Sequence, residues 1–189
     1  MQSEMKSTLP FLFYWLNRVP LNIGSALDIG AGRGAVGAML QIYREPPKID
    51  AIEIHQPYAE FSKRFYSSIY LGDALEQLRK IPSNSYDVVT CFEMIEHLKK
   101  EDGFTLLREM ERVGRVLFVS TPSAFFPQPE YDDNIHQRHL SLWTAGDFRK
   151  LGFNVRGFGR SQWWFGLAPS ILFPGLCANL FAWKTVARA

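Results

Sequence analysis

The run Ala26-Leu27-Asp28-Ile29-Gly30-Ala31-Gly32-Arg33-Gly34 restricts this chain more than any other stretch. It reads as a buried strand that passes into a glycine-rich turn and opens a helix. Glycines there let the backbone bend tightly and approach a ligand with no Cβ in the way. An acidic residue, Glu53, lies at the end of the next apolar run. In α/β sheets this pairing builds a nucleotide pocket at a strand's carboxyl end, where an acid about 20 residues on accepts the ribose hydroxyls.

Apolar runs and helical patterns alternate through the rest of the chain. Strands are expected at residues 25–30, Ile49 to Ile54, Ser68 to Leu71, Tyr86 to Phe92, Arg115 to Ser120, Phe153 to Gly157 and Asn179 to Val186. Helices are expected from Gly34 to Tyr43, from Pro57 to Phe65, and after Asp73 to Arg79. Another runs from Glu93 to Val113 with a break near Asp102-Gly103, and a last one to Leu151 is capped by Thr144 or Ser141. Residues 8–17 look helical and apolar nearly all round, which suits a helix buried on more than one side, placed over a ligand mouth. Alternation of this kind predicts a parallel sheet, with strands six and seven as an antiparallel edge hairpin.

At 189 residues and 47% apolar composition the chain suits one domain with a full core. Its net charge of +2 does not imply a large nucleic-acid surface. The two cysteines are Cys91 and Cys177; Cys91 sits in an apolar run and reads as a buried free thiol, which fits a reducing cytoplasm. No convincing signal peptide is present, because cleavage near Ala26 would cut into the first strand. From Gln162 to Trp183 there is no charged residue. Gly166, Pro169, Pro174, Gly175 and Asn179 interrupt it, so a buried cap or loop is expected first, a membrane-surface patch second and a span last. Arg156, Arg160, Lys184 and Arg188 flank this segment, either to meet lipid phosphates or as solvated surface.

The string Asp28-x-Gly30-x-Gly32-x-Gly34 resembles the first motif of class I S-adenosylmethionine-dependent methyltransferases. The charge logic agrees, since that donor carries an ammonium and a sulfonium while a pyrophosphate would be repelled by the acid. Gly32 to Gly37 also matches the dinucleotide pattern G-x-G-x-x-G, which leaves a nicotinamide dehydrogenase as an alternative. A module that holds the cofactor without turnover is another. The resemblance covers roughly residues 20–155, with landmarks in the expected order. It implies an α/β, Rossmann-like doubly wound fold with a seven-stranded, mostly parallel sheet and an antiparallel edge hairpin. It implies one methyltransferase domain over residues 1–189, with 1–23 as an N-terminal helical cap and 162–178 as an apolar insertion before the last strand. S-adenosyl-L-methionine is then the cofactor. Asp28, Gly30, Gly32 and Gly34 would hold its methionine part, Glu53 the ribose, and Asp73 with the Ala74 N–H the adenine; Glu93 closes strand four beside them. Taken singly, Asp28 is a local pairing group, Glu53 a solvated strand end and Asp73 an ordinary helix cap.

The acceptor side is less specific. Strand four ends in Cys91-Phe92-Glu93, which lacks the Asn/Asp-Pro-Pro-aromatic mark of amino methylation on DNA bases, and no Pro-Cys nucleophile is present. Phe92 to Leu98, Ser120 to Ser123 and His136 to Thr144 resemble the small-molecule branch of the superfamily, including ubiquinone-pathway O-methyltransferases. That implies O-methylation of a small or lipid-linked acceptor, with His97 or His139 as the base where one is needed. His136 and His139 also read as a base and a loop anchor, or as structural histidines. The same strings resemble the methyltransferases that modify the 3′-terminal 2′-hydroxyl of small RNAs, where Glu93, Glu96, His97 and His139 would bind manganese or a similar ion. On one helix Glu93, Glu96 and His97 would share a face. The expected partners are a small-molecule acceptor, no nucleic acid, and a peripheral membrane contact through the apolar segment, which carries Trp163, Trp164, Phe165, Ile171, Leu172 and Phe173.

Overall fold

Strands buried on both faces read as continuous apolar runs, and that is what the middle of this sheet contains. In β1, Ser25–Ile29, all four residues after Ser25 are buried. Alternate side chains point to opposite faces. Leu27 and Ile29 join one core with Val89, Cys91, Leu117 and Val119. Ala26 joins the other with Ile49, Ala51, Val88 and Phe118. In the computed structural model, residues 12–125, 127–130, 133–159, 171–172, 174 and 177–187 are described.

The other strands are β2 (Lys48–Glu53), β3 (Ser68–Leu71), β4 (Tyr86–Phe92), β5 (Gly114–Pro122), β6 (Asn154–Phe158) and β7 (Asn179–Thr185). They form one sheet in the order β3-β2-β1-β4-β5-β7-β6. β1 to β5 pair in parallel, and β7 runs antiparallel between β5 and β6. The expected edge hairpin is present, with β6 outermost. The helices are α1 (Ala35–Tyr43), α2 (Gln56–Ser62), α3 (Ala74–Lys80), α4 (Lys100–Val113) and α5 (Ala145–Lys150). Helices α3 and α4 cover the first core, while α1 and the helical residues 12–16 cover the second. Leu12, Trp15 and Leu16 are buried there but Phe13 is exposed, so this short helix has a solvent side that its composition does not suggest.

Strand order reverses at β1 and β4, and the carboxyl ends of these strands open the crevice where such sheets bind ligands. The expected long helix from Glu93 is instead a 3₁₀ turn at Ile95–His97 followed by α4. The break lies before Lys100 and not at Asp102-Gly103. Gly103 is inside the helix because Trp143 packs where its Cβ would stand. Thr144, the expected cap of α5, forms a capping box with Asp147. Cys91 and Cys177 are buried free thiols.

Two flanking cations have other employment than the sequence suggested. Lys184 bonds Glu111 and the Leu151 carbonyl, and the buried Arg156 lies over the rings of Tyr14 and Phe158. Most of the uncharged segment lies outside the described residues, including Trp163, Trp164, Phe165 and Phe173, as do Arg160, Arg188 and residues 1–11. Its C-terminal end, Asn179 to Trp183, is the strand β7, while Ile171 and Leu172 are exposed. Among the described residues no helix is long and apolar enough to cross a membrane.

Candidate active site

The turn after β1 is built from left-handed glycines. Gly30, Gly32 and Gly34 have φ of 77°, 51° and 84°, a region other residues occupy only with strain. Close packing adds to the requirement at two of them. A Cβ on Gly30 would come within 2.6 Å of Met94, and one on Gly34 within 2.6 Å of Phe65. Beside Gly32 the space is open, so this is where the bare backbone faces outward. The turn is tied to β2 by the Gly30 and Ala31 N–H groups, which donate to the Ile52 carbonyl at 2.8 and 3.2 Å.

Glu53 sits at the end of β2 and is 5% exposed. Its carboxylate accepts from the Gly32 N–H at 2.7 Å and from the His55 N–H at 2.8 Å. It therefore fixes the turn and still has lone pairs for a ligand. Asp73 caps α3 through one oxygen, Oδ1, which accepts from Leu75 and Glu76. Ala74 follows as the first residue of that helix. Asp28 has a different setting from the one its motif position suggested. It is buried, with Tyr66 donating to Oδ2 at 2.6 Å and Thr90 donating to Oδ1 at 2.7 Å. Burial pushes its carboxyl up to about 6, against the pull of those two hydroxyls.

Across the crevice, Glu93 closes β4 with φ of 50°. Ser120 of β5 donates to its Oε1 at 2.7 Å and Asn179 of β7 donates to its Oε2 at 2.9 Å. This carboxylate laces three strand ends together. The next turn carries Glu96 and His97. The Glu96 carbonyl accepts from Leu140 and Ser141, and Arg138 offers its carbonyl to His97 Nδ1 at 3.0 Å. The long loop after β5 is thereby pinned to the turn, and His139 comes to rest with its ring 5.0 Å from that of His97. Glu96 is 3% exposed; its Oε2 and the Thr121 hydroxyl are both buried without a well-formed hydrogen bond. Burial holds the Glu96 carboxyl well above the usual range, and the charge of Glu93 adds to the effect, against the downward pull of the Thr121 hydroxyl. Burial lowers His97, so its imidazole is neutral at pH 7.

Ligand atoms of Glu96, His97 and His139 all lie within 4.8 Å of one another. Glu93 stands outside this group, and its expected shared helical face with Glu96 and His97 is replaced by the 3₁₀ turn. His136, in the turn Ile135–Gln137, is exposed. The exposed Ile135, Leu140 and Leu142 lie along the same loop. Tyr66, Thr90 and Asn179 are the site residues that sequence reasoning missed. No local signal marks them, because each acts across more than thirty residues of chain.

Residues 27–116 match the model of a methyltransferase domain family. None of the curated proteins matches the chain in sequence. Among solved structures, a SAM-dependent methyltransferase from Archaeoglobus fulgidus is similar, with a TM-score of 0.69, 13% identity and 97% of each chain covered. The methyltransferase domain of bacterial CtHen1 is similar with a TM-score of 0.62 and 19% identity, over 96% of this chain and 98% of that one. Phosphoethanolamine N-methyltransferase 2 of Haemonchus contortus, crystallised with S-adenosyl-L-methionine, has a TM-score of 0.68 and 11% identity. That match spans 96% of this chain and 53% of the other. At these identities the structural likeness is one of fold.

Proposed function

We propose that this chain, whose residues 27–116 match a methyltransferase domain family and whose fold is that of S-adenosylmethionine-dependent methyltransferases, uses that donor to methylate an oxygen of a small or lipid-linked acceptor. The bound donor supplies an activated methyl group on a sulfonium. The residues then have three tasks: to hold the donor, to orient the acceptor and to keep water out. Gly30 to Gly34 receive the methionine part, with the open backbone at Gly32 as the close approach. Glu53 takes the ribose hydroxyls on lone pairs left over from its bonds to Gly32 and His55. Asp73 and the Ala74 N–H take the adenine edge.

The observation that carries the oxygen reading is the adjacent, partly buried pair His97 and His139, their rings tilted to one another beside the end of β4. An acceptor hydroxyl must lose its proton during transfer, and a neutral imidazole at pH 7 is suited to take it. The apolar loop residues Ile135, Leu140 and Leu142 favour a greasy acceptor. Supplying methyl-¹³C donor with a panel of phenols, hydroxy acids and polyprenyl-linked alcohols tests this. A product with an O-methyl carbon shift supports the reading. Transfer to amines alone contradicts it.

A second reading has its own observation: the Glu96, His97 and His139 group with one carboxylate oxygen that lacks a well-formed hydrogen bond. A carboxylate and two imidazoles suit manganese or a similar ion, so the residues fit such a group. A bound ion would polarise the diol at an RNA 3′ end. Metal analysis of the purified protein separates the two readings. Retained metal, activity on RNA ends and loss of that activity on chelation favour the second; indifference to chelators rejects it.

A further inference from the structure

The glycine turn is held in place by a residue that no motif contains. Helix α1 begins at left-handed Gly34 and has no side-chain cap of its own. The N–H groups of a first helical turn must then find partners elsewhere. The Gly37 N–H donates to the Tyr66 hydroxyl at 3.3 Å, and that hydroxyl donates to Asp28 at 2.6 Å. Thr90 completes the set by donating to the other Asp28 oxygen from β4. One chain of bonds thus links β1, the start of α1, the turn before β3, and β4. Its members are buried: Tyr66 is 8% exposed, Asp28 2% and Thr90 1%. The contact is also steric. A Cβ on Gly37 would lie 2.7 Å from two atoms of the Tyr66 ring.

We infer that Tyr66 is a positioning residue for donor binding, capping α1 from a distance and setting the Asp28 carboxylate against the glycine turn. The inference rests on the reading that this turn holds S-adenosylmethionine. The phenol has one proton, and giving it to Asp28 leaves its oxygen to accept from Gly37. The relay is complete when Asp28 is ionised. A protonated Asp28 brings its own O–H, which must compete for an acceptor in a buried place.

Three groups act on the Asp28 carboxyl. Tyr66 and Thr90 favour its ionised form through hydrogen bonds, while the charge of Glu53 disfavours it. Cys91, in register with Ile29, packs in the core on the opposite face of the sheet. Burial keeps Tyr66 a phenol. A cation bound at the turn favours the ionised carboxylate. Donor affinity therefore holds above the Asp28 value of about 6 and falls as pH drops through it.

Calorimetry with S-adenosylhomocysteine between pH 5 and 8 tests this on three proteins. The wild type is expected to bind with flat affinity above pH 7 and to weaken below about pH 6. Tyr66→Phe keeps the ring that packs on Gly37 but removes the hydroxyl. It should bind about five- to tenfold more weakly at pH 7, with its profile displaced to higher pH because Asp28 has lost a donor. Asp28→Asn should be weak throughout and flat with pH. Wild-type affinity in Tyr66→Phe with an unmoved profile overturns the inference, as does a wild-type profile that is flat down to pH 5. Should Tyr66→Phe not fold, hydrogen exchange at the Gly37 N–H in the wild type takes its place: protection of that amide supports the bond to Tyr66, and free exchange overturns the inference. Absence of binding by the wild type at every pH would overturn the cofactor reading itself, a different failure from an unmoved profile.

Discussion

The two sides of the crevice use their acids differently. On the β1–β3 side, Glu53 accepts from the Gly32 and His55 N–H groups, Asp73 caps α3, and Asp28 holds two hydroxyls. Each acid there fixes backbone at the turn where we propose the donor binds. On the β4–β7 side, Glu93 is bound to Ser120 and Asn179, but a Glu96 oxygen and the Thr121 hydroxyl are both buried without a well-formed hydrogen bond, beside two tilted imidazoles. The first side is organised before anything binds. The second retains buried polar capacity, which is costly unless something satisfies it. On the proposed function, that difference is a division of labour: a preorganised donor side and an acceptor side completed by its ligand.

Substitutions can break this contrast at several strengths. Gly34→Val should do the most damage on the donor side. A left-handed valine costs roughly 1–2 kcal/mol, and overlap with Phe65 and Ser62 adds about 1–3 kcal/mol. Thermal melting should drop and S-adenosylhomocysteine binding should vanish; a normal melt with normal binding would mean the turn is not held as described. His97→Ala should act only on the acceptor side, lowering kcat about 10²-fold with donor Kd unchanged. Its wild-type counterpart should lose activity as pH falls through a value below 6.5, since protonation removes the base. A kcat that is independent of pH and of this substitution would remove His97 from catalysis. Gly32→Ala is the mildest. The conformation costs about 1 kcal/mol but the neighbouring space is open, so melting should change little while donor affinity falls. Unchanged affinity would show that the donor does not approach that backbone.

The contrast also explains what the sequence discloses. The Asp28 to Gly34 string, Glu53 and Asp73 can be read because motif, strand end and helix start follow one another within a few residues. The strand boundaries of β3 and β4 follow from apolar runs for the same reason. Gly103 misled because a glycine in a helical pattern reads as a break, whereas here it makes room for Trp143 from another part of the chain. Tyr66 on Asp28 and Asn179 on Glu93 were illegible because the bonds span 38 and 86 residues and no local pattern encodes them. Asp28 itself shows the limit of motif reading. Its position is legible in the motif, whereas the two hydroxyls that bury and hold it, Tyr66 and Thr90, come from distant parts of the chain.

The central claim is that sheet-end carboxylates around the glycine turn cradle S-adenosylmethionine, and Glu53 is the residue most exposed to refutation. Calorimetry of the wild type and Glu53→Ala with S-adenosylhomocysteine, and with NAD as control, tests it directly. We expect saturable binding of the thioether by the wild type, none of NAD, and a loss of about 1–3 kcal/mol in Glu53→Ala. Tight NAD binding, or equal thioether affinity in the two proteins, would contradict the account.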